Sequence, residues 1–481
     1  MIDHPYLNRL RDKKVHLVGL ASAEISAVAE FLVSQGVKQL VGHDIYDGND
    51  FKKAFRKAHR GLSRAKQVKA LKKLEDLPIE MRLGADYLKG IDEAEVIFPT
   101  QGWFLYDESR DKLNELRDRG VEFGSMTKLY LQLAPATIIG VTGTNGKGTT
   151  THLIYEMLKA GKKKAYLAGN DPESIQVLDK LEMMKKPDFL VLEISNRQLM
   201  IDLGKSPHIA VITNVTPNHL DEHHNIFAEY AETKRSLLKY QKTSDYFVVN
   251  LDDETVASFQ KKSEARPYGF SVFKKVFQGA MIEREDIIYQ TEESEERVAK
   301  VSDVKLPGRY NLENVLAALV AARLAGVSAE PIAKVIKSFT GLGQRLEFVR
   351  EIDKVKYYND LFSTTPASTK LAIESFKEPV LLIAGGEAKG IDYFSLAESI
   401  KKNVRKLWLF PGGVADDLKK HFTKLHFNEF VEIADFDKCL EEIKKAAQPG
   451  DTVLLSPGGA RFQSQFIGKK SPGFSRTVKK W

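Results

Sequence analysis

TIIGVTGTNGKGTTTHLIYEMLKAG, residues 137–161, passes from an apolar strand through a glycine-rich turn into a helix with Leu153, Ile154, Met157 and Leu158 on one side. Strand, loop and helix in that order are the context that a phosphate-binding loop requires. Gly143 and Gly146 let the backbone bend so that consecutive N–H groups point inward. The helix start contributes the positive end of its dipole, and Lys147 adds a point charge. Such a nest suits a polyphosphate, and the hydroxyls of Thr149 and Thr150 are placed to reach a magnesium ion shared with it. The run Gly143, Thr144, Asn145, Gly146, Lys147, Gly148, Thr149 and Thr150 is therefore expected to bind ATP. It departs from the general Walker pattern twice: Val141 stands where the first glycine belongs, and Gly148 follows the lysine in place of Ser or Thr.

On either side of this stretch, short apolar runs alternate with helical patterns, which predicts an α/β protein of parallel sheets covered by helices. Upstream, VHLVGLA, a helix through Ile25, Val28, Ala29 and Leu32 closed by Gly36, and KQLVGHD read as a βαβ start with Asp44 at the end of its second strand. EVIFP and VEFGS follow before a boundary at Pro135. Downstream lie DFLVLEIS, HIAVITNVT, DYFVVN and a helix from Asn311 to about Ala325 that is apolar on nearly every turn. Beyond Thr340 and the glycine-punctuated GLGQR, a third set appears: KVKYYND, PVLLIAGG, KLWLFPGG and DTVLLSPGG. Three domains are expected: residues 1–135 Rossmann-like, 136–341 a P-loop ATPase-type parallel sheet, and 342–481 Rossmann-like. The length of 481 residues suits two or three cores.

Composition narrows the setting. One cysteine, Cys439, excludes an internal disulfide and a thiolate metal cluster, which points to a reducing cytoplasm. The basic residues before VHLVGLASA imitate a signal peptide, but the apolar core is short and His16 interrupts it, so a strand and helix are the better reading. No run approaches the roughly 18 apolar residues of a spanning helix, and no membrane role is expected. The net charge of +7 is modest, yet ten cations and no acid lie between Phe51 and Lys73. Nucleic acid or an anionic ligand is one reading of that segment, and a nucleic-acid-associated NTPase is the function it would suggest. A solvated amphipathic helix pair is the favoured one, since no aromatic platform accompanies it beyond Phe51 and Phe55.

The motifs also carry a resemblance. TGTNGKGTT looks like the ATP loop of the Mur ligase and folylpolyglutamate synthase superfamily, in which a glycine after the lysine also occurs. LEISNRQL resembles that family's acidic metal-binding strand end, NVTPNHLDEH its central histidine motif and YAETKRSLL the stretch holding its modified lysine. GRYNLENVLAALVAARLAG looks like the adenine-side helix, GLGQRLEFV the interdomain arginine turn, and YYNDLFSTTPAS the C-terminal aspartate loop. The N-terminal unit and the closing LLSPGGARF extend the resemblance over the whole chain. It is nearest to the members that join an acidic amino acid, D-glutamate, to a UDP-linked muramoyl acceptor.

The resemblance implies an ATP-dependent ligase that activates a carboxylate as an acyl phosphate and joins it to an amine, acting in the cytoplasm as a monomer. Bringing two anions together demands cations, and the residue types fit that demand. By resemblance Lys147, His219 and Lys234 are catalytic; Thr149, Glu193, His219 and Lys234 hold Mg²⁺, with Lys234 carbamylated; Asn311, Arg345 and Asp360 complete the ATP site; and Asn170, Asp44 and Arg461 meet the substrates. Read without it, Lys234 is an ordinary solvated helix lysine and Glu193 a carboxylate at a strand end. Asn311 and Asn314 either contact adenine or cap the helix they open, or both, with capping the stronger reading. His219 and His223 have the spacing of a zinc pair, although no third ligand is nominated.

Some positions depart from the D-glutamate pattern. Phe362 stands where a lysine is expected, Arg461 where a serine is usual, and the closing Arg-Gly reads GKKSPGF. Arg461 could clamp a carboxylate by a bidentate pair instead. GLASAE lacks the glycines usual for close pyrophosphate approach. A family ligase with a different acceptor or amino acid, folylpolyglutamate synthesis included, is the alternative, against which stand the roughly 135 residues before Thr137.

Overall fold

A computed structural model describes residues 1–103, 106–170, 176–388, 390–468 and 473–481. Its strands form three sheets, and the α/β class is the one the chain adopts. The first sheet contains β1 (Lys14–Val18), β2 (Gln39–Asp44), β3 (Glu80–Leu83), β4 (Val96–Pro99) and β5 (Glu122–Phe123) in the order β3-β2-β1-β4-β5, all parallel. The second contains β6 (Thr137–Thr142), β7 (Ala165–Gly169), β8 (Phe189–Glu193), β9 (Ile209–Ile212), β10 (Tyr246–Asn250), β11 (Arg266–Ser271), β12 (Gly279–Glu283), β13 (Asp286–Gln290) and β14 (Glu295–Lys300). Their order is β14-β13-β12-β11-β10-β9-β6-β8-β7. The third contains β15 (Glu347–Ile352), β16 (Val355–Asn359), β17 (Val380–Gly385), β18 (Val404–Leu409), β19 (Phe430–Glu432) and β20 (Thr452–Gly458) in the order β15-β16-β20-β17-β18-β19, parallel except for β15 against β16.

The central strands β6, β8, β9, β17 and β20 are buried along nearly their whole length, which is why they read as continuous apolar runs. Strands that apolar runs did not mark are β3, β7, β11 to β15 and β19. Several of these lie toward sheet edges and carry charge, as in EMRL and EERVAK, so their pairing shows in geometry rather than in composition.

Two compact units are formed: Met1–Met281 with Ile288–Glu296 and Leu316–Ile332, and Ile282–Ile287 with Arg297–Val315 and Ala333–Trp481. In the first unit, the segment that imitates a signal peptide is β1 followed by the helix Ala23–Ser34. Ser22 caps that helix by accepting the Ile25 N–H at 3.2 Å, and Ile25, Val28, Ala29 and Leu32 are buried. The basic segment forms two helices, Gly48–Ala58 and Arg64–Glu75, which bury Phe51, Phe55, Leu71 and Leu74 and turn their lysines outward. Among the described residues no helix is long and apolar enough to cross a membrane.

Inside the first sheet, His16 on β1 and His43 on β2 are both fully buried, with their rings stacked 4.9 Å apart. His43 places Nδ1 on the Tyr87 carbonyl, which makes its Nε2 the acceptor for His16 Nδ1–H at 2.8 Å; His16 Nε2 then has no hydrogen-bond partner among the described residues. Burial, then His43 and Arg82, pushes His16 down from 6.5 to about 3, and burial lowers His43 as well. Both rings therefore stay neutral in the fold, while the unfolded chain takes up protons below its ordinary histidine value. Stability is thus expected to be fully present above about pH 6.5 and to fall as the pH drops, by about 2 kcal/mol at pH 5 for His16 alone. Urea titrations across this range check it, and His16→Leu should flatten the slope.

Candidate active site

β6 lies between β8 and β9, so the loop leaving it is flanked by the end of β8 and by the segment after β9, the crevice where open α/β sheets bind ligands. Gly143 has φ +148°, and a Cβ there would lie 2.0 Å from Thr213 Oγ1, so only glycine allows this approach. Thr144 N–H donates to the Asn214 carbonyl at 2.8 Å and Asn145 N–H to Asn214 Oδ1 at 2.9 Å. Thr213 Oγ1 donates to the Asn145 carbonyl at 2.6 Å. These two amides are engaged in framing the loop. The inward-facing nest begins instead at the helix Lys147–Ala160, whose first-turn amides at Gly148 and Thr149 have no acceptor within the helix. Gly146 reaches φ +82° at its N-cap, and Lys147 Nζ curls back onto the carbonyls of Gly143 and Thr144 at 3.0 and 2.9 Å. Thr149 is half-buried and Thr150 fully buried.

Glu193 ends β8 in register with Val141 and Gly169. Gly169, at φ +112°, lets β7 run so close that a Cβ would lie 2.1 Å from the Glu193 carbonyl. The next residue, Asn170, then donates Nδ2 to Glu193 Oε1 at 3.0 Å. Glu193 is 2% exposed, and its Oε2 has no hydrogen-bond partner among the described residues. A buried carboxylate oxygen left in that state calls for a cation. No group of three or more His, Cys, Asp or Glu among the described residues is gathered closely enough to hold a metal by itself. The donors present thus fit a hard cation whose shell phosphate oxygens complete.

The helix Phe227–Arg235 docks onto this loop through two residues one turn apart. Tyr230 Oη pairs with Thr144 Oγ1 at 2.9 Å, and Lys234 Nζ donates to Thr142 Oγ1 at 3.3 Å while lying 5.5 Å from the Tyr230 ring. Lys234 is 1% exposed, which overturns its reading as a solvated lysine. Burial first, then the Lys147 charge, holds its amine well below the usual lysine range, against the pull of Glu193 and Glu222.

His219 opens a three-residue 3₁₀ turn, Leu220–Glu222, and has φ +52°. Its Nδ1 meets Glu222 Oε1 at 3.1 Å, and Arg197 grips the same carboxylate. Burial raises the Glu222 carboxyl, but the bonds from His219 and Arg197 outweigh it and bring it down to about 2. His219 and His223 do not share a face of an α-helix. A 3₁₀ turn does not stack positions four apart, and buried His223 is bonded to Asn196 at 2.8 Å. Thr142, Asn214, Tyr230, Arg197 and Glu222 were not singled out by pattern; only the four-residue spacing of Tyr230 and Lys234 signalled a shared face.

Elsewhere in this unit, a cavity of about 260 Å³ opens at the carboxyl ends of β1, β2 and β4, with Asp44, Tyr46, Tyr87, Trp103 and Tyr106 in its wall. Asp44 is buried and accepts the Ala21 N–H at 2.7 Å and the Tyr46 N–H at 3.0 Å, so its carboxylate closes the turn after β1. Burial raises its pKa.

The second unit holds the remaining positions. Asn311 lies inside the helix Arg309–Leu324 and donates Nδ2 to the Pro307 carbonyl at 2.7 Å, while Asn314 donates to Asn311 Oδ1 at 3.1 Å. Neither is a cap, because the helix starts two residues before the first of them. Asp360 is buried, accepting Leu346 N–H at 3.0 Å and Ser456 Oγ–H at 2.8 Å; burial pushes it up to about 6 despite these bonds. The Arg345 guanidinium stands 5.3 Å from the ring of Phe362, so that residue offers a cation–π face where a lysine was expected. Arg461, at φ +59°, pairs with Glu387 at 3.2 Å, and Gln465 donates to the same oxygen. In GKKSPGF, residues 469–472 lie outside the described residues.

Comparison with known proteins defines the class. Residues 141–322 match the Mur ligase middle domain, and residues 344–459 match the Mur ligase, glutamate ligase domain. The chain belongs to the Mur ligase family: it is an ATP-dependent ligase of peptidoglycan synthesis. It is 33% identical to the UDP-N-acetylmuramoylalanine–D-glutamate ligase of Ruminiclostridium cellulolyticum, over 94% of this chain and 93% of the relative. It is 35% identical to the enzyme of that name from Caldanaerobacter subterraneus subsp. tengcongensis, over 94% of each. Among solved structures, the UDP-N-acetylmuramate-alanine ligase of Thermotoga maritima shares the fold, with a TM-score of 0.58, 18% identity and coverage of 97% of this chain and 98% of that one.

Proposed function

We propose that the chain joins D-glutamate to UDP-N-acetylmuramoyl-L-alanine, as a cytoplasmic monomer with residues 1–135 taking the UDP-linked acceptor, 136–341 the ATP and 342–481 the amino acid. Identity of about a third along nearly the whole length to ligases of that name carries the reading.

In the reaction, a carboxylate oxygen of the acceptor attacks the γ-phosphorus of ATP, forming an O–P bond as the bond to ADP breaks. The amine of the amino acid then attacks the acyl carbon, and inorganic phosphate leaves as the amine gives up a proton. The first-turn amides and Lys147 hold the phosphates, and Lys147 follows the charge that moves to the leaving oxygen. Asn170 orients Glu193 and meets the acceptor. Magnesium held by Thr149, Glu193 and His219, with Lys234 as a carbamate, would neutralise the charge between phosphate and carboxylate. The depressed basicity of Lys234 supports the carbamate, whose formation needs a neutral amine. Asn311, Arg345 and Asp360 serve the nucleotide, Asp44 the acceptor's nucleotide end, and Arg461 the carboxylate of the incoming amino acid.

ADP release with UDP-N-acetylmuramoyl-L-alanine and D-glutamate tests the assignment, and the expected result is turnover that depends on all three substrates and on Mg²⁺. Phe362 beneath Arg345 and Arg461 on Glu387 favour one second reading, a different amino acid. Turnover with another amino acid and none with D-glutamate would select it.

The lysine carbamate has its own test. Protein equilibrated with ¹³C-labelled CO₂ is expected to show one protected carbamate carbon signal that is missing from Lys234→Met; its absence from the wild type would remove the modification.

A further inference from the structure

The loop that leaves β8 with Glu193 and the loop that leaves β9 with His219 are fastened to each other twice. Arg197 places Nη2 2.6 Å from Glu222 Oε1 and Nε 3.1 and 3.3 Å from its two oxygens. One residue along on each loop, Asn196 and His223 are bonded at 2.8 Å. Arg197 itself is steadied from behind, because Ser195 and Gln198 form a capping box around the helix Asn196–Leu199. The side chain of Glu222 is only 5% exposed against 28% for Arg197, so the carboxylate half of an ion pair has been taken out of water here. Exposed pairs of this kind contribute little, and a buried one is costly unless its geometry is good.

Glu222 Oε1 also meets His219 Nδ1. An ionised carboxylate can only accept, so Nδ1 must carry a ring proton, and in the neutral ring it is Nε2 that keeps the lone pair. A histidine that ligates a metal is commonly held this way, its second nitrogen donating to a carboxylate that fixes tautomer and ring angle. We propose that Glu222, gripped by Arg197, is a positioning residue: it locks His219 in the Nδ1–H tautomer and sets the distance between the Glu193 and His219 loops, so that Nε2 is the atom offered to magnesium. This rests on His219 being a magnesium ligand. Nothing in the sequence pattern nominated Arg197 or Glu222, which are far apart in the chain and ordinary in type.

The tautomer can be read directly by long-range ¹H–¹⁵N spectra of the full chain labelled with ¹⁵N-histidine, with His219→Gln used to assign the signal. In the free wild type, Nε2 of His219 is expected to be unprotonated. In Glu222→Gln, whose amide can donate as well as accept, the Nε2–H form should appear. The magnesium concentration for half-maximal ADP release should rise by about tenfold, and the change in kcat at saturating magnesium should be smaller. Arg197→Met keeps the acceptor but releases the clasp; it should shift the magnesium requirement in the same direction and loosen the tautomer, and it decides the matter if Glu222→Gln does not fold. Unchanged tautomer and unchanged magnesium requirement in the folded variants would overturn the proposal, as would a loss of melting temperature and kcat with no change in either. The tautomer is measured without substrates, so a wild type that shows it but fails to use D-glutamate counts against the substrate reading alone.

Discussion

Lys147→Met is expected to lower kcat/KM by about 10³-fold or more and to weaken ATP binding, with little change in melting temperature. The side chain is half-buried, and its Nζ rests on the Gly143 and Thr144 carbonyls, contacts within one loop that the fold does not depend on. The frame of that loop is supplied by Asn214 and Thr213, which the substitution leaves in place. What is lost is the ammonium that Lys147 adds to a nest otherwise made of amides and a helix dipole. Calorimetry with ATP and magnesium, paired with thermal melts, separates the two effects; undiminished ATP binding in the variant would refute the assignment of this loop.

The second large effect falls on Lys234, where activity should fall without any loss of stability. Lys234→Met is expected to cost about 10²- to 10³-fold in kcat while leaving stability unchanged or raising it by about 1 kcal/mol. The reason is the burial: among the described residues Nζ has one long hydrogen bond, to Thr142 at 3.3 Å, it lies 5.5 Å from the Tyr230 ring, and the residue is 1% exposed. An amine there is poorly solvated, whereas a methionine fills nearly the same volume without a polar head. A residue kept for packing would give the reverse result. Urea titration together with ADP release measures both, and a variant that is destabilised yet fully active would show that Lys234 is structural.

Parts of this arrangement are legible along the chain and parts are not. The β6–loop–helix unit and Glu193 announce themselves because a buried parallel strand is an apolar run, and the polar residue that ends it stands out at the edge where ligands bind. Lys234 does not, since its helix carries Glu229, Glu232 and Arg235 and reads as a solvent-facing one. Its burial depends on Thr142, 92 positions earlier, a contact that no local period encodes. Asn214 is hidden for the same reason. The four-residue spacing of His219 and His223 does not place them on one helix face, because spacing alone presumes an α-helix and the chain makes a tighter turn there. Asn311 was misplaced by two residues, enough to turn a cap into an interior side chain bonded back to Pro307.

The carboxylate of Asp44 on the Ala21 amide gives the N-terminal cavity a polarity of its own. In a nucleotide-binding fold the turn after the first strand usually receives phosphate oxygens; here an internal anion already stands in that place, and a second one would be repelled. On the proposed placement of the acceptor's nucleotide end, ring or sugar donors would face Asp44 and the diphosphate would lie outward, so a bare phosphate compound is expected to gain little by entering.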